Sequence, residues 1–233
     1  MINIYPLSTL GHANHGWLDT HYHFSFANYF NKKRMHFGQL RVINDDSIKA
    51  GAGFDMHRHE NMEIITFVRS GAITHQDSKG NTGRTAAGDV QVMSAGSGIY
   101  HSEFNLESET TTLFQIWIKP NKKDVTPRWD MANFNAQIAQ DALPLLVSGR
   151  VEDQDKGALF IHQDAAIYGG TLAAGQTITH PIKDQAYILI SKGGAYIDGH
   201  AAAQGDGIEI THQDTVTIKA TNTAEIILID VPA

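Results

Sequence analysis

The stretch "GAGFDMHRHENMEIITFVRSG", residues 51–71, decides the fold, because it places two imidazoles directly before an apolar strand. His57 and His59 lie at its centre, and Glu63 precedes the apolar run 64–68. Side chains at positions i and i+2 of a β-strand face the same side. His57 and His59 are therefore predicted to point together.

A second stretch, "GDVQVMSAGSGIYHSEFN" at residues 88–105, contains His101 and Glu103 at the same spacing. If the two strands are neighbours and both pairs face inward, three imidazoles and one carboxylate converge. Three nitrogen ligands and one oxygen ligand suit a divalent ion: Fe(II), Mn(II), Co(II), Ni(II), Cu(II) or Zn(II). In a six-coordinate ion this set leaves about two positions open, which is typical of catalytic sites.

The remaining histidines are interpreted as structural or exposed. His21 and His23 lie in "HYHFSFANYF", where the aromatic neighbours indicate packing. Eight others are scattered along the chain: His12, His15, His36, His75, His162, His180, His200 and His212.

Composition excludes several classes of protein. The 233 residues carry a net charge of −7 without a Lys/Arg-rich stretch, which disfavours direct nucleic-acid binding. The absence of cysteine excludes disulfides, thiolate ligands and thiol nucleophiles. Without a signal peptide or an apolar run that could span a bilayer, a cytoplasmic protein without membrane contact is expected.

Short strands separated by glycine-rich turns predict an all-β chain with jelly-roll barrels. "YILISKGGAYIDG" echoes "IITFVRSGAITHQ", and "GDGIEIT" echoes "GDVQVMS", but neither echo repeats the histidine pairs. This pattern predicts an internal duplication in which only the first copy carries the chemistry. We expect an N-terminal domain at 1–125, a linker at 126–150 and a degenerate C-terminal domain at 151–233. Helical turns are predicted only within 131–140.

The motifs resemble those of a known family. The first cupin motif is similar in spacing to a set of residues in the first stretch: Gly51, His57, His59, Glu63 and Gly71. The second cupin motif is similar to a set in the second stretch: Gly88, Ser94, Gly96, His101 and Asn105. The stretches "GHANHGWLDTHYHFSFANYF", "LRVINDD", "HQDSKGN", "MSAGSGIYHSEFN" and "FQIWIKP" resemble pirin sequences, most of all the bacterial quercetinase-like pirins. The resemblance implies an all-β bicupin, two cupin domains with a degenerate second half.

The resemblance also implies a ligand set. In pirins the metal ligands match His57, His59, His101 and Glu103, whereas ordinary cupins use a carboxylate that matches Glu63. We expect Glu103 to be the ligand and the catalytic base, and Glu63 to support the ligands from behind. Five apolar residues are candidates for the lining of the substrate pocket, although core packing is the favoured explanation for each: Phe54, Met93, Ile99, Phe104 and Phe114.

The activity implied by the resemblance is that of a dioxygenase. Such an enzyme uses one divalent metal, with Fe(II) favoured, and O2 to open the heterocycle of a flavonol such as quercetin, releasing carbon monoxide. The alternative is a non-catalytic, metal-dependent co-regulator that binds a protein partner. A degenerate site that holds Zn(II) structurally is a third interpretation.

Overall fold

The computed structural model describes residues 1–134, 139 and 141–233. The chain divides into two compact units, and each takes a short segment from the other half of the sequence. The N-terminal unit consists of Gly11–Asn135 and Leu159–Gln163. The C-terminal unit consists of Met1–Leu10, Ala136–Ala158 and Asp164–Ala233. The domains expected from the sequence, at 1–125 and 151–233, do not include this exchange of segments.

Both units consist of β-strands, as the sequence predicts, and two 3-10 helices at Leu7–Thr9 and Val151–Asp153 complete the described elements. The strands, numbered along the chain, are β1 (Ile2–Tyr5), β2 (Gly11–Asn14), β3 (Leu18–Tyr22), β4 (Leu40–Ile48), β5 (Gly53–His59), β6 (Glu63–Ser70), β7 (Ala72–Asp77), β8 (Thr82–Ala86), β9 (Asp89–Ser94), β10 (Ile99–Phe104), β11 (Thr111–Ile118), β12 (Arg128–Asn133), β13 (Leu145–Ser148), β14 (Leu159–Phe160), β15 (Ala166–Leu172), β16 (Thr177–Pro181), β17 (Gln185–Lys192), β18 (Gly194–Ile197), β19 (His200–Ala203), β20 (Gly207–Ile210), β21 (Thr215–Ala220) and β22 (Ala224–Val231).

The N-terminal unit is built from two antiparallel sheets. The larger sheet has the strand order β12-β9-β6-β11-β4-β3-β2, and the smaller one has the order β5-β10-β7-β8. The carboxylate of Glu103 on β10 accepts hydrogen bonds from Thr66, Gln91 and Gln115, which belong to the larger sheet. The two sheets therefore enclose a shared interior, as expected for a jelly-roll barrel.

The C-terminal unit repeats this plan. One sheet contains β1-β20-β17-β22-β15-β13 in that order, and the other contains β16-β21-β18-β19. Alternation is clear in β21, where every second residue is buried, as expected for a sheet with one face on the core. The duplicated glycine turns match as well, because Gly71 after β6 and Gly193 after β17 both have positive φ values, 72° and 75°.

The order of the smaller sheets makes β16 the counterpart of β5 and β21 the counterpart of β10. His57 pairs with His101 in the N-terminal unit, whereas Ile178 pairs with Ile218 in the C-terminal unit. Both isoleucines belong to a large apolar core cluster. The second barrel is thus filled with aliphatic side chains where the first one gathers imidazoles.

Residues 126–150, predicted as a linker, contain β12 and β13. The prediction of helical turns within 131–140 is wrong for residues 131–133, which end β12 and pair with β9. Most of the remaining stretch, at 135–138 and 140, lies outside the described residues. Among the described residues there is no helix of the length and apolarity needed to cross a membrane.

His180 makes the C-terminal unit sensitive to acid. Its Nδ1 atom accepts a hydrogen bond from the Leu143 amide, and the ring packs edge-on against Tyr168 with centroids 4.4 Å apart. Burial, reinforced by Arg150 and opposed by Asp230, lowers the pKa of His180 to about 4. The folded chain therefore keeps this imidazole neutral at a pH where the unfolded chain binds a proton.

We expect the free energy of unfolding to fall as the pH decreases from 6.5 towards 4, with about 2 kcal/mol lost at pH 5 through His180 alone. Urea titrations at pH 7.5 and pH 5 measure this loss. His180→Gln keeps an acceptor for Leu143 but cannot be protonated, so its loss should be smaller by that amount. The exposed His200→Gln should behave like the wild type, and an equal loss in all three proteins would contradict the assignment.

Candidate metal centre

Three imidazoles meet on the smaller sheet of the N-terminal unit. His57 and His59 face the same side of β5, and β10 places His101 directly opposite His57. The ring of His57 lies 4.7 Å from that of His59 and 4.5 Å from that of His101, measured between centroids. One nitrogen of each ring lies within 4.8 Å of the others, as the spacing of the two motifs predicts.

The nitrogen atoms of these rings fit a cation. The Nδ1 atom of His57 lies 2.7 Å from the Asp55 carbonyl oxygen, which can only accept, so Nδ1 carries the proton and Nε2 has a free lone pair. That Nε2 atom lies 3.1 Å from Nε2 of His101, about the separation of two adjacent ligands at roughly 2.1 Å from one ion. Nε2 of His59 is buried without a hydrogen-bond partner.

Electrostatics keep two of the rings in the form that binds metal. Burial, together with the neighbouring imidazoles, lowers the pKa of His59 to about 4 and that of His101 to about 3. Both rings are therefore neutral near pH 7, and a neutral imidazole is the form that coordinates a metal. The set of nitrogen donors suits the divalent transition ions considered above.

Glu103 lies beside this cluster and is almost fully buried. Its Oε1 atom accepts hydrogen bonds from Thr66 at 3.1 Å and Gln91 at 2.5 Å, and its Oε2 atom accepts one from Gln115 at 2.9 Å. A carboxylate offers about four acceptor positions, so about one remains for a further partner. Its oxygen lies within 4.8 Å of ring nitrogens of His75 and His101.

Glu63 does not join this group. Its carboxylate binds the Ser94 hydroxyl at 2.7 Å, and burial raises its pKa. The expectation that it faces the ligands assumed one regular strand from His59 onward. Instead β5 ends at His59, Asn61 adopts a positive φ of 46°, and β6 starts at Glu63, so the alternation is interrupted.

A cavity of about 420 Å³ opens in front of the imidazoles, within the range of small-molecule sites. Aromatic rings form much of its wall. Trp17 packs edge-on against Phe54, and Trp117 packs edge-on against both Phe26 and His59. The lining residues are Trp17, Leu18, Thr20, Tyr22, Phe26, Asn44, Asp46, Gly53, Phe54, Asp55, His57, His59, Glu103, Gln115 and Trp117.

Of the five apolar candidates for this wall, the structure places Phe54 there, and the other four lie elsewhere. Met93 and Ile99 belong to a core cluster with Ile64 and Ala95. Phe104 follows Glu103 directly and so faces the opposite side of its strand. Phe114 is fully buried beneath the guanidinium of Arg69, also on the opposite side from Gln115.

Several residues at the site escaped the sequence analysis. Gln91 and Gln115 are polar residues at inward positions of otherwise apolar strands, which is a signal that could have found them. His75 lies behind His101 and was interpreted as a scattered histidine. Its segment, His75-Gln76-Asp77, repeats the spacing of an imidazole and a carboxylate seen at His101 and Glu103.

Outside the cavity, His23 is buried, in agreement with the packing role predicted for it, and burial together with Arg34 lowers its pKa to about 3. His21 instead stacks on the exposed His12, with centroids 4.5 Å apart. Asp19 accepts a hydrogen bond from His12 at 2.7 Å, so these side chains form a separate, hydrogen-bonded group at the surface.

Comparisons with known proteins agree with this architecture. Residues 6–118 match the family model for pirin, and residues 145–231 match that for the quercetinase C-terminal cupin domain. A Caulobacter vibrioides relative named "Pirin-like protein" is 47% identical, with 99% of each chain covered. The chain belongs to the pirin family.

A named relative and a solved structure, both from Escherichia coli, extend the comparison of this pirin. One relative, named "Quercetin 2,3-dioxygenase", is 42% identical and covers 100% of this chain and 99% of its own. A crystal structure, "bacterial pirin YhhW in complex with nickel(II)", superposes with a TM-score of 0.92 at 41% identity, with 100% and 99% of the two chains covered. The bicupin fold of this pirin is thereby confirmed.

Replacing His57 by alanine tests whether the imidazoles hold a metal. His57→Ala removes one of three clustered donors, and its side chain is only partly buried, so the protein should stay folded. We expect more than about a tenfold loss of affinity for Ni(II), measured by competition with a chromogenic chelator. The exposed His200→Ala should bind as the wild type does, and full metal occupancy in His57→Ala would contradict the assignment.

Proposed function

We propose that this pirin is a metal-dependent dioxygenase that uses O2 to open the heterocycle of a flavonol such as quercetin and releases carbon monoxide. The observation that carries the proposal is the open cavity, which has imidazoles and a buried carboxylate on its wall. The name of the Escherichia coli relative, at 42% identity over the whole chain, supports it.

In this proposal His57, His59, His101 and Glu103 hold one divalent transition ion. Fe(II) is our first choice, and the nickel(II) complex of YhhW makes Ni(II) the first alternative to test. When bound, the ion supplies a Lewis acid that polarises the substrate oxygens and a route for electrons to O2. The three His side chains fix its position, because their strands are paired in one register.

Glu103 is the proposed base. The substrate hydroxyl next to the ring carbonyl must lose its proton before the ring reacts. The carboxylate can take this proton at the one acceptor position that its three hydrogen bonds leave, so the roles of ligand and base would alternate at that position. Thr66, Gln91 and Gln115 orient the carboxylate by donating three hydrogen bonds. Gln115 is itself held, because Trp117 donates to its Oε1 atom at 3.1 Å.

The cavity wall suits a planar molecule that carries hydroxyl groups. Aromatic side chains such as Trp17, Phe54 and Trp117 offer faces and edges to flat rings. Asn44 and Asp46 each present a buried Oδ1 atom without a hydrogen-bond partner. Because both of these atoms are acceptors, a ligand that donates hydrogen bonds would satisfy them, as the ring hydroxyls of a polyphenol do.

The cavity also favours this proposal over its alternatives. A co-regulator that only binds a protein partner needs no ligand-sized cavity, whereas this barrel encloses a volume of about 420 Å³. A structural Zn(II) site would have four protein ligands without an exchangeable position. Three of the four proposed ligands, His57, His59 and Glu103, lie on the wall of an open cavity, which favours catalysis over such a closed site.

The direct test is loss of quercetin absorbance under air, with the purified chain stripped of metal and reloaded with Fe(II), Mn(II), Co(II), Ni(II) or Cu(II). We expect turnover with at least one metal, with one carbon monoxide released per quercetin consumed. His57→Ala and the metal-free protein are the controls. Binding of metal without turnover above these controls would sink the proposal and favour the co-regulator.

Asp46 offers a finer test of how the substrate binds. Asp46→Ala removes the unpartnered acceptor without adding bulk to the cavity, and burial, which raises the pKa of Asp46 to about 7, makes a charge costly there. We therefore expect a stable protein whose KM for quercetin rises about tenfold or more. The KM for 3-hydroxyflavone, which lacks the other ring hydroxyls, should stay unchanged. An equal effect on both compounds would refute this role for Asp46.

A further inference from the structure

We propose that His75 and Asp77 are positioning residues that act through His101. They hold its imidazole in the tautomer with the proton on Nδ1, which leaves Nε2 free to bind the metal. This inference rests on the proposed ligand role of His101, but it does not depend on which reaction the metal performs.

The arrangement follows from the register of two strands. β7 lies next to β10, so that Asp77 pairs with His101 and His75 pairs with Glu103. The side chains form a continuous row: Oδ2 of Asp77 lies 3.1 Å from Nε2 of His75, and Nδ1 of His75 lies 3.5 Å from Nδ1 of His101. The side chains of His75 and Asp77 are fully buried, and His101 is 1% exposed.

Hydrogen bonds stabilise the negative charge of Asp77 at the start of the row. The Asp77 carboxylate accepts hydrogen bonds from the backbone amides of Lys79 and Asn81 at 2.8 and 3.1 Å. It also accepts one from the Asn81 side chain at 2.8 Å. These donors come from the turn that follows β7, so the turn fixes the carboxylate and leaves it only the role of an acceptor towards His75.

Counting protons along the row then assigns each nitrogen. Since the carboxylate can only accept, Nε2 of His75 carries a proton and donates a hydrogen bond to Asp77. A neutral imidazole has a single N–H, so Nδ1 of His75 accepts a hydrogen bond, and the Nδ1–H of His101 donates it. His101 therefore has its lone pair on Nε2, the atom that faces Nε2 of His57 at 3.1 Å.

Two aromatic contacts keep His75 in place. Trp129 stacks on its ring with centroids 4.9 Å apart and an interplanar angle of 9°. The indole also donates to Oε1 of Gln91 at 3.3 Å, and Gln91 in turn donates to Glu103. Gly83 lets the indole approach, because a Cβ there would lie 2.2 Å from the Trp129 ring. One indole thus supports both His75 and the carboxylate of the proposed site.

Two substitutions of His75 separate positioning from packing. His75→Phe keeps a ring against Trp129 but removes both hydrogen bonds of the row. His75→Gln loses the ring but can still donate to Asp77 and accept from His101. If the row positions His101, His75→Phe should lower the affinity for Ni(II) by about 10- to 100-fold, and His75→Gln should restore most of it. Chelator competition on the full chain measures both.

A second readout needs no metal. In the metal-free wild type, ring nitrogen chemical shifts from ¹⁵N NMR should show the proton of His101 on Nδ1, with the resonance assigned by its absence in His101→Gln. In His75→Phe this preference should be lost. A wild-type proton on Nε2 would overturn the inference, and so would equal Ni(II) affinities of the two His75 variants.

The two proposals can fail separately. Neither measurement uses quercetin, so a pirin without dioxygenase activity could still show the proposed row. If His101→Ala binds Ni(II) as tightly as the wild type, the ligand assignment is wrong and the positioning role is overturned with it. Turnover of quercetin with unchanged metal affinity in His75→Phe would keep the function and overturn this inference.

Discussion

The pairing of β10 with β5 on one side and β7 on the other is the constraint on which the site depends. That register sets His101 opposite His57 on one edge and opposite Asp77 on the other. A slip by one residue would turn every one of these side chains to the opposite face. The β-bulge between His101 and Glu103 adds a residue to the β5 side, so Glu103 pairs with Phe54, whereas a regular register would pair it with Asp55.

Burial of a carboxylate inside the barrel requires compensation, and the larger sheet provides it. Gln91, Thr66 and Gln115 are cross-strand neighbours on β9, β6 and β11, and all three donate to Glu103. Outer partners complete the network, since Thr85 donates to Gln91 at 2.8 Å. A buried network with this many hydrogen bonds rigidifies its members, whereas a missing donor would leave a costly unpaired group. The orientation of Glu103 therefore depends on side chains from three strands of the larger sheet, β6, β9 and β11.

The sequence predicted the parts of the site that depend on local alternation. The spacing within His57–His59 and within His101–Glu103 was sufficient to place each pair on one face, and the glycine turns revealed the duplicated barrel. Glu63 was misplaced because the turn at Asn61 interrupts the alternation. The role of His75 depends on which strand lies beside β10, a long-range pairing that spacing alone does not reveal.

The aliphatic interior of the C-terminal unit has a consequence for how the chain tolerates change. Where one barrel carries buried imidazoles and a carboxylate, the other pairs Ile178 with Ile218 and gains the full benefit of apolar burial. Active sites commonly sacrifice folding free energy for chemistry. After a duplication, that compromise need apply to only one copy. The aliphatic barrel should therefore tolerate exchanges among aliphatic side chains of similar volume, whereas the buried polar positions of the other barrel allow few changes.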